Sequence, residues 1–63
     1  MLINPRIGQY VQLWYAKKRA HLFPLHGKIG VVWIVSKGKP RNHGVEVDGE
    51  IVIVPCGNLK PLK

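Results

Sequence analysis

Two stretches decide the fold: His26-Gly27-Lys28-Ile29-Gly30-Val31-Val32-Trp33-Ile34-Val35 and Gly44-Val45-Glu46-Val47-Asp48-Gly49-Glu50-Ile51-Val52-Ile53-Val54-Pro55. Both are rich in β-branched residues. They are separated by Lys, Gly, Pro and Asn, and the second is divided by Asp48-Gly49, so together they predict a three-stranded antiparallel meander. A two-residue type I′ turn needs positive φ at both central positions, which Asp tolerates and Gly adopts freely. That turn predicts a register with Val47 opposite Glu50 and Val45 opposite Val52 on one face, and Glu46 opposite Ile51 on the other.

Working outward, Tyr10-Val11-Gln12-Leu13-Trp14-Tyr15 alternates. A first strand there places Val11, Leu13 and Tyr15 on a core face and Tyr10, Gln12 and Trp14 on the other. Residues 1–7 form a lead-in whose Asn4-Pro5 favours turn or extended backbone. Residues 16–26 carry Lys17-Lys18-Arg19 and then Ala20-His21-Leu22-Phe23-Pro24-Leu25. The rival reading, a helix from Val11 to Leu22, is opposed by the β-branched and aromatic residues before Ala16 and by Pro24, so a long loop is expected. Leu22, Phe23 and Leu25 should tuck the far end of that loop against the core. A second strand over Lys28–Ser36 is apolar on both faces, with Gly30, Val32 and Ile34 on one and Ile29, Val31, Trp33 and Val35 on the other. A long bent strand shared by two sheets of a small barrel accounts for this, with Gly30 where the backbone curves. Residues 37–42 form an exposed basic connection. Pro55 ends the fourth strand, Cys56-Gly57-Asn58 suits a single 3₁₀ turn, Leu59 returns to the core, and residues 60–63 form a short closing strand or fray.

The totals bound the function. Sixty-three residues make one domain with room for one small core. Cys56 is the only cysteine, which excludes an intrachain disulfide and a Cys or Cys/His zinc site of ordinary spacing, and fits a reducing compartment. No apolar run of signal-peptide or membrane-span length occurs, and a cytoplasmic protein is expected. Ten Lys/Arg against three Asp/Glu give a net charge of +7, which makes a polyanion the first partner to consider. The charge is polarised. Residues 1–43 carry eight Lys/Arg and no acid, whereas residues 44–63 carry two Lys/Arg and all three acids, grouped around the hairpin.

The strand order, with a long first loop, a short basic second loop, a tight third turn and a 3₁₀ turn before the last strand, resembles an all-β, five-stranded Src-homology-3-like small barrel. Three motifs resemble the KOW-type branch found in ribosomal proteins and transcription elongation factors. Ile7-Gly8-Gln9-Tyr10-Val11-Gln12-Leu13 resembles its opening Gly-x-x-Val-x-Val, and His26-Gly27-Lys28-Ile29-Gly30-Val31-Val32 resembles its Gly-x-x-Gly-x-Val core. Glu50-Ile51-Val52-Ile53-Val54-Pro55-Cys56-Gly57-Asn58-Leu59 is similar to the closing strand and turn, in which a Pro and an Asn-Leu precede the last strand. The likeness runs over about residues 7 to 60 and consists mostly of Gly and Val, so it specifies fold more than ligand. It implies binding of RNA, DNA or protein through loops, without catalysis. A weaker similarity, to the plasmid-encoded dihydrofolate reductase barrels, lies in Ile51-Val52-Ile53-Val54-Pro55. There Val52 and Val54 stand where that family has its ligand-contacting Gln and Tyr, so no active site is carried over.

The candidate nucleic-acid contacts are Lys17, Lys18 and Arg19 of the first loop and Lys37, Lys39 and Arg41 of the second. They are expected to converge on one phosphate track, with Trp14 and Tyr10 as stacking platforms for bases. Solvated loop lysines are the plain alternative. A second class of function, a protein-interaction or homo-oligomerisation module, would use an apolar sheet face around Trp33, Ile51 and Ile53. His21, His26 and His43 read as loop residues far from any Cys, Asp or Glu at metal-ligand spacing, with His43 contributing to a polyanion site below pH ~6.5. Cys56 reads as a small core hydrophobe, and Glu46 and Glu50 as exposed strand-edge residues. With three acids and only loop histidines, general acid/base catalysis has little to work with. No catalytic residue, metal or cofactor is expected.

Overall fold

The computed structural model of the chain describes residues 1–16 and 22–62. Five strands, β1 (Tyr10–Leu13), β2 (Ile29–Ile34), β3 (Asn42–Val47), β4 (Glu50–Pro55) and β5 (Leu59–Pro61), form one antiparallel sheet in the order β4-β3-β2-β1-β5. The chain crosses from one sheet edge to the other in the single 3₁₀ turn Cys56–Asn58, so the sheet is coiled enough for three residues to bridge its edges. No ladder joins β4 to β5 among the described residues, and the sheet is a coiled meander rather than a hydrogen-bonded closed ring.

The hairpin has the predicted register: Val47 faces Glu50, Glu46 faces Ile51 and Val45 faces Val52. Its turn residues take the left-handed conformation a type I′ turn demands, with φ of 53° at Asp48 and 85° at Gly49. Beside the turn, Lys28 Nζ lies 2.6 Å from Asp48 Oδ2. Both side chains are solvated, so this pair adds at most about 1 kcal/mol.

Each strand gives alternate residues to one core, made of Val11, Leu13, Val32, Val45, Val47, Val54 and Leu59. Leu2, Tyr15, Leu25, Val35 and Val52 pack around it. Gly30 is required by this packing. A Cβ there would stand 2.6 Å from Val45 Cγ1 and 2.7 Å from the Glu46 carbonyl oxygen, so only glycine lets β2 pass this close to β3.

Several sequence expectations need correction. The first strand stops at Leu13 instead of running to Tyr15, because its partner β5 begins only at Leu59; the Trp14 N–H still donates to the carbonyl of Asn58 opposite it, which already belongs to the 3₁₀ turn. The second strand is Ile29–Ile34, shorter than Lys28–Ser36, and it does not alternate throughout. Pairing passes from Val32↔Val45 to Ile34↔Gly44, leaving Trp33 as the extra residue of a bulge. The bulge shifts the alternation by one. Ile34 therefore leaves the core face and covers Gly44 on the outside, while Val35 packs against the core. Glu46 is not on a strand edge but in the central β3, half-buried, accepting a 2.7 Å hydrogen bond from Trp33 Nε1. His43 is not a loop residue: it starts the core face of β3 and is fully buried. Leu22 stays exposed, and Cys56 is half-buried outside the core cluster.

Candidate functional site

The 3₁₀ turn is hydrogen-bonded to Trp14, which precedes the first basic segment, and to Arg41, which ends the second. At its start the Cys56 N–H donates to the Arg41 carbonyl at 2.8 Å, which holds the end of the second loop. At its end the Asn58 carbonyl accepts from the Trp14 N–H at 2.8 Å, and Asn58 Nδ2 donates to the Trp14 carbonyl at 3.2 Å, which holds the start of the first. A 3₁₀ helix rises only ~2 Å per residue, so the two loop bases are stitched to points roughly 5 Å apart along the chain. The amino-terminal lead-in joins the same cluster, with the Leu2 N–H donating to the Cys56 carbonyl at 3.1 Å and Arg41 Nη1 donating to Asn4 Oδ1 at 3.0 Å.

Beside the turn lies an open groove of about 420 Å³. Tyr15, Ala16 and Phe23 line it from the first loop, and Ile53, Pro55 and Asn58 from β4 and the turn. Tyr15 and Phe23 are stacked, with centroids 4.2 Å apart and planes 10° from parallel. The groove wall at Pro55 is paired with Asn42, the first residue after the second loop. No Asp or Glu lines the groove. Glu50 lies at the far end of β4 from Pro55, and Asp48 is paired with Lys28.

The sequence-predicted residues fall in three places. Lys37 and Lys39 are exposed on the second loop, and Arg41 is half-buried at its end. Lys17, Lys18 and Arg19 lie outside the described residues. Trp14 sits at the base of the first loop with both ring partners close: Lys60 Nζ is 4.2 Å from the centroid of its ring, and the His26 ring is 4.6 Å away and tilted. His26 in turn accepts the Tyr15 N–H at Nδ1, 2.9 Å away. Tyr10 stands apart from the groove, on the outer sheet face opposite Val31. No family model, curated protein or solved structure matches the chain.

Trp33, Ile51 and Ile53 share the outer face of β2-β3-β4. Their exposures are 45%, 49% and 63%, and the bulge adds Ile34 at 53%. Residues 44–59, which supply most of this face, contain no Lys or Arg. Glu46 is its one charged group among the paired β3 positions, held by the Trp33 indole. Sequence alternation missed Ile34 because a bulge leaves no mark in the apolar pattern. It also missed Tyr15 and Phe23 as groove residues, since both read as core. The one available signal was their aromatic character on either side of a basic loop. Among the described residues no cluster of His, Cys, Asp and Glu could hold a metal, and no helix is long and apolar enough to cross a membrane.

Proposed function

We propose that the chain is a Src-homology-3-like small barrel of the KOW type that binds nucleic acid, RNA or DNA, in the cytoplasm and without catalysis. The observation that carries this reading is the attachment of both basic loops to one 3₁₀ turn. Those loops hold six of the ten Lys/Arg, namely Lys17, Lys18, Arg19, Lys37, Lys39 and Arg41. Lys37, Lys39 and Arg41 lead into the segment tied to the turn, Lys17, Lys18 and Arg19 follow in sequence the Trp14 that the turn also holds, and no carboxylate lines the groove beside it. The mechanism is electrostatic capture of the phosphate backbone, with counterion release as the driving term. The antiparallel order β4-β3-β2-β1-β5 and the 3₁₀ turn before β5 support the fold half of the reading.

The test is a titration of labelled oligonucleotide at several salt concentrations. Four phosphate contacts predict a slope of log affinity on log salt of roughly −3 to −4. The double variant Lys37→Glu, Lys39→Glu should flatten that slope by about 2 and weaken binding. Affinity that is unchanged between low and high salt would sink the proposal.

A second reading has its own observation, the solvent-facing cluster of Trp33, Ile34, Ile51 and Ile53. A face of this kind suits a protein partner or a second copy. Trp33→Lys should abolish that association, as read by sedimentation or pull-down, and leave oligonucleotide affinity intact. Loss of oligonucleotide binding with association retained would reverse the assignment of the two surfaces.

A further inference from the structure

The groove beside the 3₁₀ turn offers a surface of a different chemistry from the basic loops. Resting on the nucleic-acid reading above, we infer that it takes an unpaired base of a single strand, so that the preferred ligand is single-stranded rather than duplex. Its aromatic lining is the stacked Tyr15–Phe23 pair, in which Phe23 keeps 37% of its surface exposed. Its aliphatic lining is Ile53 and Pro55, both exposed. A flat, apolar, π-bearing ligand matches a slot with an aromatic side and an aliphatic side, because it gains stacking on one and dispersion on the other.

Asn58 adds a polar group to the lining. Its bond to the Trp14 carbonyl fixes the amide and uses one of its two N–H groups, leaving the other N–H and the Oδ1 acceptor for a ligand. Charge complementarity comes from the neighbouring loop. Lys37 and Lys39 are exposed on the loop that ends beside Pro55, and the groove has no acid of its own to repel a phosphate. A duplex keeps its bases stacked inside and presents only its backbone, so it would leave the aromatic wall unused.

The experiment compares three labelled probes by fluorescence anisotropy at low salt: a single-stranded oligothymidylate of about eight nucleotides, an abasic strand with the same number of phosphates, and a hairpin duplex. The base-containing strand should bind about tenfold more tightly than the abasic strand, in keeping with one stacked base. Phe23→Ala should reduce that ratio to below about threefold while leaving abasic affinity unchanged. Ile53→Ala, at a position already exposed to solvent, should do the same from the aliphatic lining and stands as the second variant if Phe23→Ala fails to fold. Lys39→Glu should weaken both strands alike. Equal affinity for the base-containing and abasic strands overturns the groove inference and leaves phosphate binding standing. Absence of binding by all three probes removes the nucleic-acid reading itself, and the inference falls with it.

Discussion

At the scale of single residues, two buried positions carry more constraint than their size suggests. Gly30 faces Val45 and Val47 side chains at distances no Cβ tolerates. Gly30→Ala should therefore cost about 1 to 3 kcal/mol by overpacking, as read by urea unfolding, and an unchanged midpoint would mean that β2 has room to retreat. His43 is the other. Its Nδ1 accepts the Ser36 N–H at 3.1 Å, which assigns the ring proton to Nε2, and that nitrogen is buried without a partner among the described residues. An orphaned donor costs about 1 to 3 kcal/mol, comparable to or larger than what one ordinary hydrogen bond contributes. His43→Leu removes both terms and should leave stability within about 1 kcal/mol of the parent, whereas His43→Ala also opens a cavity and should lose about 2 kcal/mol or more. Equal losses in the two variants would show that the ring nitrogens, rather than the volume, are what the core needs. This histidine was invisible in the sequence for a simple reason: it precedes a glycine and follows a basic loop, and nothing local marks it as the first inward position of a strand.

The hairpin is the element whose behaviour follows most directly from its residues. Asp48-Gly49 demanded a type I′ turn, the turn demanded the register, and the register put Val45, Val47, Val52 and Val54 on the inside. Gly49→Ala should cost roughly 1 to 2 kcal/mol, because an L side chain at φ of 85° meets its own backbone. For a domain of this size each kcal/mol lowers the thermal midpoint by about 4 to 8 °C, which calorimetry would resolve. The strand β2 shows the limit of the same logic. Its apolar residues on both sides were visible, yet the step from Val32 to Ile34 depends on how β3 accommodates it, since Ile34 has to lie over Gly44. A bulge is a property of two strands together, and no one-strand pattern contains it. The groove was hidden for a related reason, because Tyr15 and Phe23 meet Ile53 and Pro55 only after the sheet has coiled.

At the scale of the whole molecule, a net charge of +7 on a body measuring 28 × 25 × 23 Å makes the folded state repel itself. Raising sodium chloride from about 0.01 to 0.15 M shortens the screening length from ~30 to ~8 Å, and the thermal midpoint should rise with it. A midpoint that falls or stays level would show that the loop charges are too far apart to matter for folding. The 3₁₀ turn has one further consequence, which concerns time rather than space. Leu13 and Leu59 are partners across the β1–β5 ladder, yet they stand 46 positions apart (59 − 13) in a chain of 63. During synthesis the first strand, both basic loops and the hairpin emerge before the residue that completes the core. The nascent protein therefore presents its cations and its unfilled apolar interior together until Leu59 arrives, and the turn that ties Trp14 to Arg41 forms only with the last strand.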